Sequence, residues 1–453
     1  MMKKNIFSFY FQLIKDFFSK TFSTFSKLEK IIILLLSISF IVSSSLYLYI
    51  NFFSDLVEIP NYGGVYKEGI VVENRDDLVD TINRLTKIGL TKFDEDGNIV
   101  DEVAESWDIS DDVKTYTFTI KDLFDRDEVM HELEKHKDKW TQVEIKPEND
   151  RGIQFRFEES FGPFLSMTTL PVLPYGPYEV TKRDLKEIRL RANDNFYLGR
   201  AYLNEIILKI YPNYENMVKD YQNKQIDGIY HLKNDAESWD GMSFYSFKLP
   251  RYNMLFINND RDVFKTQQSR KKLVQNEKFD NEININVVVL DSVENREIVK
   301  ELLEKWEQSN IRAEIFYKNS SELLHNIIPK RDYDLLIYGL DYGTDPDPYP
   351  FWHSTQSGEQ GFNLANFSDI DADIFLEDAR KTADLDVRKE KYEQFWNIFD
   401  SEVPAMILSH EDWIFGVSEK YKSVKTGYSI APEDRFLYIY NWYIRTKKIP
   451  NNQ

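Results

Sequence analysis

Apolar and polar residues alternate along several short stretches of this chain, the period-two pattern of half-buried strands. KTYTFTIK (114–121) puts Tyr116, Phe118 and Ile120 on one face. VEIKPENDRGIQFRFEE (143–159) reads as two strands about a polar turn, with Phe155 and Phe157 together. IRLRAN (188–193) and LNEIILKIYP (203–212) predict further strands, and residues 214–226 predict a helix stopped by Asp227-Gly228. Downstream the pattern becomes that of buried strands separated by helices. ININVVVLD (283–291) precedes a helix over 294–309 with Ile298, Leu302, Leu303 and Trp306 apolar. The strand IRAEIFY (311–317), a short helix near 321–327 and the strand YDLLIYGL (333–340) follow. Such strand–helix alternation implies a parallel sheet from 283 to 340. Helices over 369–382 and 386–402 and a strand at 403–410 come next; on the second helix Tyr392, Phe395, Trp396 and Phe399 share a face that reads as core.

The N-terminal region follows neither pattern. IIILLLSISFIVSSSLYLYI (31–50) carries no charge, and about 20 apolar residues in a helix cross a bilayer's hydrocarbon core. Ahead of it lie Lys3, Lys4, Lys15, Lys20, Lys27 and Lys30 against Asp16 and Glu29. Positive flanks stay cytoplasmic, so the remainder is expected outside. Phe7, Tyr10, Phe11, Ile14, Phe17, Phe18, Phe22 and Phe25 recur at three- and four-residue steps, an amphipathic leader suited to the inner leaflet. The apolar run exceeds the usual signal-peptide core, which favours an uncleaved anchor, but Ser43 and Ser45 leave cleavage open.

Charge and composition narrow the function. Ahead of residue 31 lie six lysines and two acids; the outward part then holds 51 basic and 74 acidic residues, a net −23. That excludes nucleic acid as a partner, which needs basic surface, and suits cationic or zwitterionic ligands. With no cysteine, disulfides, thiolate metal sites, cysteine nucleophiles and a lipoprotein anchor are all ruled out. His131 and His136 stand five apart on a charged helix, His353 and His410 stand alone, and GxSxG, HExxH and P-loop motifs are absent. Acidic neighbours such as Asp111-Asp112 and Glu158-Glu159 would point to opposite faces of a strand. An enzyme is therefore not expected, nor a cofactor or metal.

One loop stands out. YGLDYGTDPDPYPFWHS (338–354) combines Asp341, Asp345 and Asp347 with three prolines and rings including Tyr342, Tyr349, Phe351 and Trp352. It leaves the carboxyl end of a predicted sheet strand, where open α/β sheets bind ligands. A cleft for a cationic, partly apolar ligand would use both the charge and the rings; turn-capping by the aspartates is the bland alternative.

Several stretches, in order, resemble the family 5 extracytoplasmic solute-binding proteins of ABC importers, which take oligopeptides, dipeptides and nickel. They are GGVYKEGIV (63–71), GLTKFDEDGNIVDEVAESWDISDDVKTYTFTIK (89–121), the turn Tyr175-Gly176-Pro177-Tyr178, LGRAYLNEIILKIYPNYENMVKDYQNKQIDGI (198–229), PRYNMLFINN (250–259) and residues 363–408. The resemblance implies a two-lobe α/β periplasmic-binding-protein-like (type II) fold, with lobe I at 63–257, lobe II at 258–410 and a return segment at 411–453. Ahead of these the reading places a leader at 1–30, the transmembrane helix at 31–53 and a linker at 54–62. It implies peptide capture for ABC permease subunits, an aspartate of the 338–354 loop pairing with the ligand's ammonium, and Tyr342, Tyr349 and Trp352 beside it. Asp341-Tyr342 fits the start of the family's loop, whereas taking Asp347-Pro348 as its later Asp-Pro puts Asp345 in that role; both remain open. The chain departs from the family by being shorter: ENRDD (73–77), LFDRDEVMHELEKHKDKWTQV (123–143) and QQSRKKLVQN (267–276) replace longer or different segments. This admits a second reading, a degenerate relative acting as an accessory or sensory membrane protein without ligand transport.

Overall fold

A computed structural model describes residues 23–53, 56–71, 75–140, 143–232 and 239–450. The amphipathic leader expected over residues 1–22 lies outside them. The chain divides into two units, one of residues 1–61 with 445–453 and one of residues 62–444.

The first unit holds the helix Lys27–Phe53. It is long and apolar enough to cross a membrane, and the side chains of its apolar stretch are not buried by the protein. It also holds an antiparallel ribbon, β1 (Leu56–Asn61) with β18 (Arg445–Pro450), in the register Leu56↔Pro450 to Asn61↔Arg445. The expected linker at 54–62 is therefore mostly strand, and the expected return segment splits at residue 445. Both differences have one cause. LVEIPN is extended and partly apolar, and it finds a partner only at the far end of the sequence, which no local pattern marks.

The second unit is built on a ten-stranded mixed sheet in the order β15-β14-β16-β13-β17-β12-β2-β11-β10-β9. Its centre is a pair of long strands, β13 (Met242–Ile257) and β17 (Ala405–Ser418). Their pairing is interrupted between Lys248 and Tyr252, where Pro250 lacks an N–H to give. On one side of that break β17 meets β12 (Gly228–Ile229), followed by β2 (Val65–Val71), β11 (Glu205–Tyr211), β10 (Glu187–Ala192) and β9 (Tyr178–Arg183). On the other, β13 meets β16 (Leu335–Asp341), which runs parallel to β14 (Ile283–Leu290) and through it to β15 (Ile311–Lys318). The parallel sheet expected from 283 to 340 is thus present.

Each half of the sheet has its own core. Tyr66, Leu190, Leu208, Phe415 and Trp442 fill one. In the other, Phe256, Leu336, Trp352 and Phe395 pack on one face and Leu255, Val287, Trp306 and Ile337 on the opposite face. The helix Val293–Gln308 buries Asn295, Val299, Leu302 and Trp306, while Leu303, assigned to its apolar face from sequence, is 37% exposed. A separate four-stranded antiparallel sheet, β5 (Ala104–Ile109), β6 (Thr115–Ile120), β8 (Gly152–Phe157) and β7 (Val143–Pro147), buries Tyr116, Phe118, Phe155 and Phe164. The short hairpin β3 (Thr91–Phe93) and β4 (Ile99–Asp101) stands beside it in sequence.

A buried ion pair ties the ends of the second unit together. Arg435 and Glu68 are both fully buried, with Nη2 2.6 Å from Oε2. Tyr66 donates to the same carboxylate at 3.0 Å, and Arg435 lies over the Phe436 ring. With the carboxylate, the phenol and the Pro432 carbonyl all engaged, the pair is satisfied as a buried pair must be.

Candidate functional site

Sheet topology makes the first cavity. Strand β14 ends at Leu290, and its pairing with β16 stops at Ile337. β16 continues to Asp341, held only by β13 through Tyr252↔Leu340 and Arg251↔Asp341. The β14-side edge of residues 338–341 therefore has no strand partner among the described residues. A cavity of about 650 Å³ lies along it. Gly339 faces open space, since a Cβ added there would meet nothing within 4 Å.

The other walls come from three elements and one loop residue. The start of the helix Val293–Gln308 gives Glu294 and Asn295, β13 gives Arg251 and Asn253, β17 gives Ser409 to Asp412, and His231 closes one end. Asn253 donates to Asn295 at 2.6 Å, and Asn295 donates to the Leu290 carbonyl at 2.8 Å, fixing the helix start against the crossing strand. Ser409 donates to Glu294 at 2.7 Å. Asp341, Glu294, Glu411 and Asp412 line it together with Arg251, so the lining carries four carboxylates and one guanidinium. Such a cavity attracts cations.

Asp341 is half-exposed. It accepts from Arg251 Nε at 2.8 Å and from the Gly343 N–H at 2.8 Å. The second contact fixes the turn and presents the carboxylate; the first gives it a cationic partner.

Asp345 and Asp347 have a different fate. Arg388 grips Asp345 with Nη2 to Oδ1 at 2.5 Å and Nη1 to Oδ2 at 3.1 Å, and both residues are buried. Burial works to lower the Arg388 pKa, but the charge and hydrogen bonds of Asp345, with those of Tyr392, together raise it. Asp347 accepts from Arg380 through Nε at 2.8 Å and Nη2 at 2.6 Å, and from Tyr392 at 3.3 Å. Neither carboxylate is available to a ligand without stripping an arginine of its counter-ion, a buried one in the case of Arg388.

A second cavity, about 780 Å³, lies on the other flank of the turn, between Tyr342–Asp345 and residues 157–167. Phe157, Phe161, Met167 and Phe351 supply apolar wall, and Glu158 and Glu159 supply charge.

The five residues singled out from sequence are thus separated. Asp341 lines the first cavity; Tyr342 and Asp345 line the second. The Tyr342 hydroxyl accepts from Trp352 Nε1 at 2.9 Å, and burial pushes its phenol pKa up. Tyr349 is sandwiched between the Arg380 guanidinium, 3.8 Å from its ring centre, and His353. Trp352 is fully buried, stacked on Phe256 and edge-on to Phe399. Trp352 anchors this loop to the core, while Tyr342 and Phe351 reach the wall of the second cavity. Arg251, Glu294, Glu411 and Asp412 went unremarked in the sequence reading because they converge from two distant strands and a helix. Among the described residues no group of three His, Asp or Glu side chains is arranged to hold a metal.

A profile of the bacterial extracellular solute-binding proteins, family 5, middle region, matches residues 135–275. Over that stretch the chain is similar to the family 5 solute-binding proteins. The oligopeptide-binding protein AppA of Bacillus subtilis (strain 168) is 20% identical over 340 residues, covering 59% of this chain and 61% of AppA. The match therefore spans less than two thirds of that relative's length. The ABC transporter substrate-binding protein CtaP of Listeria monocytogenes superposes with a TM-score of 0.71 at 18% identity, over 84% of this chain and 99% of CtaP. The structure of AppA from Bacillus subtilis with a nonapeptide gives 0.62 at 17%, over 85% of this chain and all of that one. NikZ from Campylobacter jejuni with Ni(L-His) gives 0.64 at 17%, over 84% and 99%. The chain accordingly shares the periplasmic-binding-protein fold of these structures.

Proposed function

We propose that this protein is a membrane-anchored, extracytoplasmic receptor that captures a peptide, or a similar cationic or zwitterionic solute, for import by an ABC transporter. The observation that carries the reading is the unpaired β16 edge, residues 338–341, beside Asp341 in a carboxylate-lined cavity. A peptide adds to such an edge through main-chain hydrogen bonds, which recognise any sequence. Its ammonium displaces Arg251 from Asp341 and makes a charge-assisted bond there. Lobes at 63–257 and 258–410, hinged where β13 and β17 cross, would close over the ligand. The helix Lys27–Phe53 serves as the anchor, single-pass, with the receptor outside. No catalytic step is assigned, and no metal or cofactor.

The deciding experiment mixes the full chain, in detergent, with a pool of short peptides and weighs the complexes by native mass spectrometry. Retained peptide masses that vanish in Asp341→Asn support capture at this site. Retention unchanged in that variant removes Asp341 from the site. A second reading, an accessory or sensory protein that transports nothing, is favoured by one observation: Arg251 already satisfies Asp341. A folded protein that retains no peptide, even as Arg251→Ala, supports that reading.

A further inference from the structure

The β1–β18 ribbon is exposed on two faces of unlike chemistry. Residues directly opposite each other in an antiparallel pair share a face. One face therefore carries Val57 with Ile449, then Ile59 with Lys447, then Asn61 with Arg445. The other carries Leu56, then Glu58 with Lys448, whose charges lie 3.8 Å apart, then Pro60 with Thr446. On the first face Val57 is 41% exposed and Ile449 37%. Neither Lys447 nor Arg445 has a carboxylate within ion-pair distance among the described residues. The order along that face is apolar pair, then cations, over roughly 14 Å of strand.

That order has a direction relative to the membrane helix. The helix ends at Phe53 and β1 begins at Leu56, so the apolar pair lies at the ribbon end nearest the helix in sequence, and the cations lie farther along. A two-stranded ribbon has little core of its own and is marginal in water without a further surface. These cations also run against the charge of the outward part, net −23. An apolar edge followed by cations, within a few residues of a membrane span, fits the boundary between acyl chains and lipid phosphates.

We propose that the Val57–Ile449 face of the ribbon docks on the outer leaflet, its apolar pair at the acyl boundary and Lys447 and Arg445 on anionic phospholipid phosphates. The ribbon then holds at the lipid surface both the strand that leads into the receptor unit and the strand that leaves it. This inference rests on the anchor reading above.

The chain lacks native cysteine, so a single Val57→Cys carries one environment-sensitive fluorophore cleanly. The labelled full chain is reconstituted in phosphatidylcholine vesicles with or without 30% phosphatidylglycerol, and acrylamide quenching is read. Docking predicts quenching about threefold weaker with phosphatidylglycerol. That difference disappears in Arg445→Glu/Lys447→Glu, halves or more in the milder Arg445→Gln/Lys447→Gln, and persists in Lys448→Gln on the opposite face. Equal quenching in both lipids, insensitive to these substitutions, overturns the proposal. So does shielding that grows with protein-to-lipid ratio alone, which assigns the face to a second copy of the chain. Protein released from vesicles by carbonate wash overturns the anchor reading itself. Retention without charge-dependent shielding overturns only the ribbon's role.

Discussion

Three aspartates within seven residues do two kinds of job, and the difference is set by which arginine reaches each. Asp341 keeps solvent and cavity on one side and holds an exchangeable partner, Arg251. Asp345 and Asp347 are buried against Arg388 and Arg380. Asp341→Asn should therefore weaken peptide binding by about 2–5 kcal/mol, as truncating one member of a charge pair does, and leave thermal stability nearly unchanged. Asp345→Asn should do the reverse: it strands a buried guanidinium, which costs about 3–5 kcal/mol of stability. Calorimetry of both variants checks this. A normal melting profile for Asp345→Asn would mean Arg388 finds another partner. From sequence alone the two aspartates were indistinguishable as ammonium ligands. The loop's own residues say nothing about Arg388, 43 positions away, and helix periodicity around 386–402 marks Arg388 only as one polar position among several. The rings misled for a related reason: clustered aromatics look the same in a sequence whether they line a cleft or fill a core, and Trp352 fills the core.

Among the elements, the strand whose end forms the site was legible and its consequence was not. YDLLIYGL announces β16, and the alternation of strands and helices from 283 to 340 announces its parallel neighbours. That the pairing with β14 stops four residues short of the end of β16 depends on register, which alternation does not encode over a long connection. The 16-residue β13 was likewise hidden, because Pro250 divides it into segments that read separately. The overhang gives a prediction of its own. Gly339 lies on the open edge in a conformation open to any residue, with nothing near its missing Cβ. Gly339→Val should leave the melting temperature equal or slightly higher, since glycine weakens a strand interior. It should also reduce peptide affinity at least tenfold by placing a branched side chain along the ligand's path. Titration of one tight-binding peptide against both proteins tests it, and undiminished affinity would move the ligand off this edge.

For the whole molecule, the family's motif order foretold two lobes, while the long-range closures that hold the chain together were invisible. Both the ribbon and the Glu68–Arg435 pair join residues more than 360 positions apart. The second closure brings a proton-linked site with it. The turn Pro432–Phe436 packs on the helix Arg75–Thr86, where Arg84 lies 2.6 Å from Asp434. Beside that pair, burial and the Asp434 charge push the Glu433 carboxyl up to about 7, with Arg84 opposing. An unfolded glutamate releases its proton near 4.5. Between those two values the native chain therefore holds a proton that the unfolded chain has given up, so unfolding releases it. The sign follows: Glu433 costs nothing below about pH 4.5, costs progressively more as pH rises toward 7, and costs its full amount above that. Glu433→Gln keeps the side chain's shape and removes the ionisation. The melting temperature of the variant should match the parent near pH 4.5 and exceed it by on the order of 1–2 °C at pH 8. Curves that stay parallel across that range would place the Glu433 carboxyl in water, and the closure at Pro432–Phe436 would then have to open in the native state.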